Sequence, residues 1–282
     1  MKRSALPLFI AVLAAVLLLP PAGAQQPAPY RILVSNDDGV RAPGIAAAAE
    51  ALKAIGEVIV VAPADNQSGK GHSITIADPI FREDLQLPGG LKAIGLTATP
   101  ASTVNVALRN IVKPAPNLVV SGINRGYNLA YSAYLSGTVG AAREGAMHGV
   151  PAIAASLAEA AAPRDFGAAA QELLRVARRV KQYGLPSNTF LNVNIPATTA
   201  GGYKGVRVTT QAMLRGGEES FAEMTHPSGR TIYWNVYREG VNAPQGTDIW
   251  AVESGYVSVT PMHVGEYDDT LADSAKKWFS VP

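Results

Sequence analysis

The chain has no cysteine. A disulfide framework and a lipid-anchored cysteine are both excluded, and cysteine usage says nothing about redox compartment. Net charge is also scarce. The formal balance is +2, and Lys2 and Arg3 account for all of it, so the rest of the chain is neutral. That is not the basic footprint of a protein that binds nucleic acid polymers. The 4 histidines, His72, His148, His226 and His263, show no His-x-x-x-His spacing, which argues against a zinc hydrolase. Gly39 to Gly44 lacks the Lys-Ser/Thr pair that closes a P-loop. No Gly-x-Gly-x-x-Gly follows the first apolar run, and there is no Gly-x-Ser-x-Gly elbow. A phosphate-bearing substrate would need a local positive source, such as a metal or helix N-termini.

What is present is a chain of 282 residues, 48% hydrophobic and 16% charged. That is ample for a large core, in one domain or one domain with an appendage. Lys2 and Arg3 precede the apolar run Ala5 to Leu19, two prolines, and Ala22-Gly23-Ala24. A basic start, a short apolar run and a small-x-small site predict a secretory signal peptide over residues 1–24. The run is short beside the roughly 20 residues of a membrane span. The expectation is a periplasmic or secreted protein with no membrane attachment after cleavage; an uncleaved anchor is the alternative.

From Tyr30 the pattern is strand, loop, helix, strand. Short apolar runs bounded by Asn, Asp, Gly or Pro predict buried strands at Arg31 to Ser35, Glu57 to Ala62, Asn117 to Ser121, Pro151 to Ser156 and Thr189 to Ile195. Helices are predicted over Ile45 to Ile55, Ala101 to Val112, Thr138 to His148 and Phe166 to Tyr183. Ser73 to Arg82 and Leu91 to Leu96 read as further strands. This alternation defines an α/β, Rossmann-like, doubly wound and mostly parallel sheet over residues 30–196. After Pro196 the texture changes. Gly205 to Gln211, Thr231 to Tyr237 and Gly255 to Pro261 alternate, so 197–282 reads as a β-rich extension short on helix.

In open parallel sheets, ligands sit beyond the carboxyl ends of the strands. Three predicted strands end in polar, glycine-containing loops: Asn36-Asp37-Asp38-Gly39, Asp65-Asn66-Gln67-Ser68-Gly69, and Ser121-Gly122-Ile123-Asn124-Arg125-Gly126. If parallel, they converge on one crevice. Adjacent carboxylates repel unless something positive lies between them. Taken singly, each loop reads as a solvated turn. Together they offer two carboxylates, a hydroxyl and an amide oxygen, a hard set suited to Mg²⁺ or Mn²⁺ and poor for zinc or copper. Of the histidines, His72 lies nearest this region in sequence.

Those residues resemble a known family. Val34-Ser35-Asn36-Asp37-Asp38-Gly39-Val40 with Ala42-Pro43-Gly44-Ile45 is similar to the opening of the SurE survival-protein family. The likeness continues through Val60-Val61-Ala62-Pro63 with Ser68-Gly69, Val120 to Gly126 with Asn128-Leu129, Ser136-Gly137-Thr138-Val139, Glu144-Gly145 and Pro151 to Ala154. It extends to Tyr233-Trp234, Gly246-Thr247-Asp248 and Gly255 to Pro261.

The resemblance implies a metal-dependent phosphomonoesterase acting on nucleoside 5′- and 3′-monophosphates. It implies one divalent metal ion per subunit, Mg²⁺ or Mn²⁺, held by Asp37, Asp38, Ser68 and Asn124. Asp37 and Asp38 are then also the catalytic carboxylates. Asn36, Asn128, Ser136, Gly137 and Thr138 form the implied substrate-binding set. A C-terminal β extension exchanged between subunits is implied too, in a homodimer or homotetramer.

There are two departures. The family's Gly-Thr-Pro-x-Asp-Cys reads Ala98-Thr99-Pro100-Ala101-Ser102-Thr103 here, which bears on the local helix cap and on substrate preference. The family is typically cytoplasmic, whereas this chain is expected to be exported. Two other classes share parts of the pattern. A receiver domain would need an acceptor Asp where Ser121-Gly122 stands, and an exported metal-containing nucleotide- or phosphate-binding protein would bind without turnover. N-terminal sequencing of the exported protein should begin at Gln25; a product beginning at Met1 would mean that the segment stays on as an anchor.

Overall fold

The structure is a computed structural model that describes residues 28–158, 165–197, 202–214, 217–239 and 242–279. The predicted signal peptide at 1–24 lies outside the described residues. The described chain runs β1 (Arg31–Ser35), α1 (Pro43–Leu52), β2 (Glu57–Pro63), β3 (Arg82–Gln86), β4 (Lys92–Leu96), α2 (Pro100–Val106) and β5 (Leu118–Arg125). It continues through α3 (Ser132–Leu135), α4 (Gly137–Met147), β6 (Ala152–Leu157), α5 (Phe166–Tyr183), β7 (Thr189–Ile195) and β8 (Val206–Val208). The last elements are β9 (Gly217–Thr225), β10 (Thr231–Glu239), α6 (Asp248–Glu253), β11 (Val257–His263) and α7 (Asp269–Phe279).

A 9-stranded sheet in the order β3-β4-β2-β1-β5-β6-β7-β11-β8 forms the centre. β4, β2, β1, β5, β6 and β7 pair in parallel. β3 and β11 add antiparallel strands toward the two edges. This is the expected α/β architecture. The chain winds from β1 outward to β2 and β4, then returns to the other side of β1 as β5. The order therefore reverses between β1 and β5, which makes their carboxyl ends the switch point where such sheets open a crevice.

Strand alternation builds a core on each face. Ile32 and Val34 of β1, Val60 and Ala62 of β2, and Leu118 and Val120 of β5 pack in the core beneath α1 and α5. Leu33, Val61 and Val119 point to the opposite core, which includes residues of α2 and α4. Burying both faces explains why these strands read as continuous apolar runs. Helix α4 sits close to the sheet because it is built on glycine. A Cβ on Gly145 would fall 2.9 Å from the Val119 side chain, and one on Gly140 would fall 2.3 Å from the Gly71 carbonyl oxygen.

Three parts differ from the sequence expectation. Residues 73–81 form no strand, and the antiparallel edge strand begins where that prediction ended, at Arg82. The Ile74 and Ile76 alternation suggested a half-buried strand, yet both side chains are exposed. Thr75 instead bonds the α2 entrance: its N–H donates to Ser102 Oγ at 2.7 Å, and its Oγ1 accepts from Thr99 N at 3.0 Å. The helix predicted to Val112 stops being α-helical at Val106 and passes into a wider π-helical turn over Ala107–Ile111. Among the described residues, the β-rich C-terminal part also holds two short helices, α6 and α7, and returns β8 and β11 to the main sheet. Only β9 and β10 form a separate antiparallel ribbon, with Phe221, Met224, Tyr233 and Trp234 exposed on it.

Candidate active site

Asp37 and Asp38 follow β1 directly, and Asn124 lies at the end of β5, so the switch point brings them together. Between Ser121 and Asn124 the pairing of β5 with β6 slips register, and such a bulge re-aims the side chains that follow it. Asn124 Nδ2 donates to Gly126 O at 3.0 Å, which leaves its Oδ1 as the oxygen to offer a ligand. The Arg125 N–H donates to Asp38 Oδ2 at 3.0 Å, tying the two strand ends to each other. Asn36 is fully buried, and its Nδ2 donates to Gly39 O at 2.8 Å. Its Oδ1 is buried with no partner.

The loop after β2 is pinned over the first. Gln67 N donates to Asp37 O at 2.7 Å, and Val40 N donates to Pro63 O at 2.7 Å. Gly39, at φ +100°, lets the two loops close up, because a Cβ there would stand 3.2 Å from the Asp65 carbonyl carbon. Ser68 is exposed at the lip, and its N–H donates to Asn66 Oδ1 at 2.9 Å.

From the opposite side comes the start of α4. Ser136 caps this helix, accepting from Val139 N at 3.2 Å. Thr138 Oγ1 donates to Asp37 Oδ1 at 2.5 Å. Gly137 is required here, because a Cβ would lie 2.9 Å from Asp37 Cβ and 3.0 Å from its Oδ2. The positive end of the α4 dipole therefore faces a buried carboxylate.

Asn128 belongs to a different cluster. Its Nδ2 donates to Ser156 Oγ at 2.8 Å, its N–H to Asn194 Oδ1 at 2.8 Å, and its carbonyl accepts from Asn192 Nδ2 at 2.8 Å. Asp248 anchors the next residues, accepting from Ala130 N at 2.8 Å and from Ala212 N at 2.9 Å. Asn192 and Asn194 were not singled out in the sequence, where each sits inside a strand pattern with no turn signal.

The electrostatics are unusual. Burial pushes Asp37 up to about 6; the Thr138 hydroxyl pulls it back, and the neighbouring Asp38 charge raises it again. Among the described residues, no basic side chain pairs with Asp37. Carrying its ionised form at neutral pH costs the fold on the order of 3 kcal/mol. Among the described residues, no group of three or more His, Cys, Asp or Glu side chains converges to hold a metal. A cation here would draw on the two carboxylates and on neutral oxygens. An uncompensated carboxylate, an unpartnered Asn36 oxygen and an all-oxygen donor set fit a hard divalent ion. On the Asp38 side a cleft of about 510 Å³ opens, lined in part by Arg41, Asp65, Asn66, Arg125 and Phe166.

A doubly wound sheet with a carboxylate pair at its switch point and a helix N-terminus facing it defines an α/β protein with a polar crevice at its strand ends. Comparison with known proteins narrows this. Residues 32–218 match the family described as Survival protein SurE. The protein called 5′-nucleotidase SurE from Syntrophotalea carbinolica is 43% identical over 249 residues, covering 88% of this chain and 96% of that one. 5′-nucleotidase SurE 1 from Thermus thermophilus is 43% identical over 234 residues, covering 82% and 91%. The crystal structure of the SurE protein from Aquifex aeolicus superposes with a TM-score of 0.77 at 39% identity, over 88% of this chain and 99% of that one. The chain belongs to the SurE family.

Asp37→Asn should stabilise the metal-free protein by about 1–3 kcal/mol at pH 8. The folded pKa lies above the unfolded value, so the wild type recovers stability as pH falls through 6, and the gain should shrink toward pH 4. Urea unfolding in chelator checks this, and an Asp37→Asn protein less stable than wild type at pH 8 would contradict it.

Proposed function

We propose that this protein is a 5′-nucleotidase, a metal-dependent phosphomonoesterase that hydrolyses nucleoside 5′- (and 3′-) monophosphates to nucleoside and phosphate. The observation that carries the reading is the buried Asp37 carboxylate, seated against the first turn of α4 without a basic partner. Relatives named 5′-nucleotidase SurE, matched over nearly their whole length, support it.

Asp37, Asp38, Ser68 and Asn124 would hold one divalent ion per subunit, Mg²⁺ or Mn²⁺. When bound, such an ion would neutralise the carboxylate pair, polarise a phosphoryl oxygen and acidify a water. The chain's own residues do the rest. The first turn of α4, at Ser136, Gly137 and Thr138, attracts the phosphate through backbone N–H groups and the helix dipole. Asn36 holds the Asp37-Asp38 turn through Gly39, and its buried Oδ1 has no hydrogen-bond partner. Asn128 supports the loop that leads into α3. Asp37 and Asp38 are the carboxylates within reach of the reacting phosphate, and one of them takes the proton that the attacking water gives up. The cleft beside Asp38 is of the size that small ligands occupy, and it gives the nucleoside a place next to Phe166 and Arg125.

The remaining proposals rest on sequence and surface. Export to the periplasm or outside the cell follows from the segment 1–24. Among the described residues no helix is long and apolar enough to cross a membrane. A homodimer or homotetramer is the proposed assembly; the β9–β10 ribbon supports it, since it leaves Phe221, Met224, Tyr233 and Trp234 exposed and is a poor candidate to stand alone in water. Nucleic acid polymers are not substrates on this reading, because the chain beyond the leader has no net positive charge.

The test is phosphate release from AMP by the mature chain, Gln25 to Pro282, with Mn²⁺ or Mg²⁺ and then with excess EDTA. Metal-dependent release that EDTA abolishes is expected, and Asp37→Asn should lower turnover by about 10³-fold or more. A folded, metal-loaded wild type that releases no phosphate from any nucleoside monophosphate would overturn the assignment.

A further inference from the structure

Just past Ser68 in the chain, where His72 meets Glu144, lies a polar cluster that the proposed chemistry does not use. Glu144, on α4, is buried, with its side chain only 10% exposed. Its Oε2 meets His72 Nε2 at 2.8 Å, and its Oε1 meets His148 Nε2 at 3.2 Å. Asn105 Nδ2 donates to the same Oε1 at 2.6 Å, and Arg109 Nε donates to Asn105 Oδ1 at 2.9 Å. One carboxylate therefore gathers groups from the Ser68 loop, from the α2 end and from its own helix.

The placement of His72 gives this cluster a consequence. Ser68 hangs between two anchors. At one end Gln67 N donates to Asp37 O. At the other Gly71 N donates to Leu135 O at 2.9 Å, and His72 reaches Glu144. Between them the loop carries Gly69 at φ +74° and Gly71 at φ +55°, so its own backbone supplies little stiffness. Gly140 is bare where the loop crosses α4, since a Cβ there would fall 2.3 Å from Gly71 O. The loop is thus seated on the same helix whose first turn faces Asp37.

We infer that Glu144 is a positioning residue, which through His72 clamps the loop bearing Ser68 onto α4 and so fixes the distance between the Ser68 hydroxyl and the Asp37-Asp38 pair. The clamp rests on the metal-dependent reading above for what it serves. It touches neither substrate nor reacting atoms. Removing His72 leaves Glu144 with His148 and Asn105, so the carboxylate stays paired and the helix intact.

The test compares His72→Ala and His72→Gln with wild type. Amide exchange of residues 67–72 in metal-free protein reads the clamp itself. Titration calorimetry with Mn²⁺, without substrate, reads its effect on the site. His72→Ala should exchange at least about tenfold faster across the loop and bind Mn²⁺ about tenfold more weakly. His72→Gln keeps a side-chain N–H for Glu144 and should restore both to within about threefold of wild type. Exchange unchanged in His72→Ala would mean that no clamp exists. Faster exchange with unchanged Mn²⁺ affinity would make the contact structural only and overturn the positioning role. A wild type that binds no Mn²⁺ would sink the metal reading and the role together, and the exchange data would still tell that failure from the absence of a clamp.

Discussion

The rest of this structure depends on one unfavourable arrangement, two adjacent carboxylates at the end of a central strand. β1 lies between β2 and β5 and is buried on both faces. Asp37 emerges from it almost fully buried, with Asp38 beside it. Such a pair is unstable unless its charge is met. The fold meets it partly with the Thr138 hydroxyl, the first turn of α4 and the Arg125 N–H. These are dipoles, and they leave Asp37 short of full ionisation near pH 6. That deficit is what a bound cation would make good on the proposed reading.

The surrounding architecture serves that point. The reversal of strand order puts the ends of β1 and β5 side by side. Glycine at 137 and 140 allows α4 to approach both Asp37 and the Ser68 loop, where any side chain would collide. The loop hydrogen bonds run toward the aspartates, from Gln67 to Asp37 O and from Arg125 to Asp38. Loops held this way are preorganised.

Much of this was legible in the sequence because its signals are local. Buried parallel strands read as apolar runs, and Asn36-Asp37-Asp38-Gly39 advertises itself. The elements that were misread depend on distant partners. Ile74 and Ile76 alternate like a strand, but Thr75 is held by Thr99 and Ser102 instead of by a neighbouring strand. Helix α6 is short, and its cap Thr247, which accepts from Trp250 N, follows the turn residues Pro244 and Gly246. The His72–Glu144 contact joins residues 72 apart in sequence, and no spacing rule reveals it. The replacement of the family's Asp by Ser102 keeps a role: its Oγ accepts the Thr75 N–H, while Thr99 caps α2.

On the proposed reading the carboxylate pair is a cation site built with the oxygens of Ser68 and Asn124. Anomalous diffraction from a crystal of the protein soaked in Mn²⁺ tests it most directly. One manganese peak per subunit, within coordination distance of Asp37, Asp38, Ser68 and Asn124, is the expected result. A crevice without manganese, or a peak bound by other residues, would contradict the account.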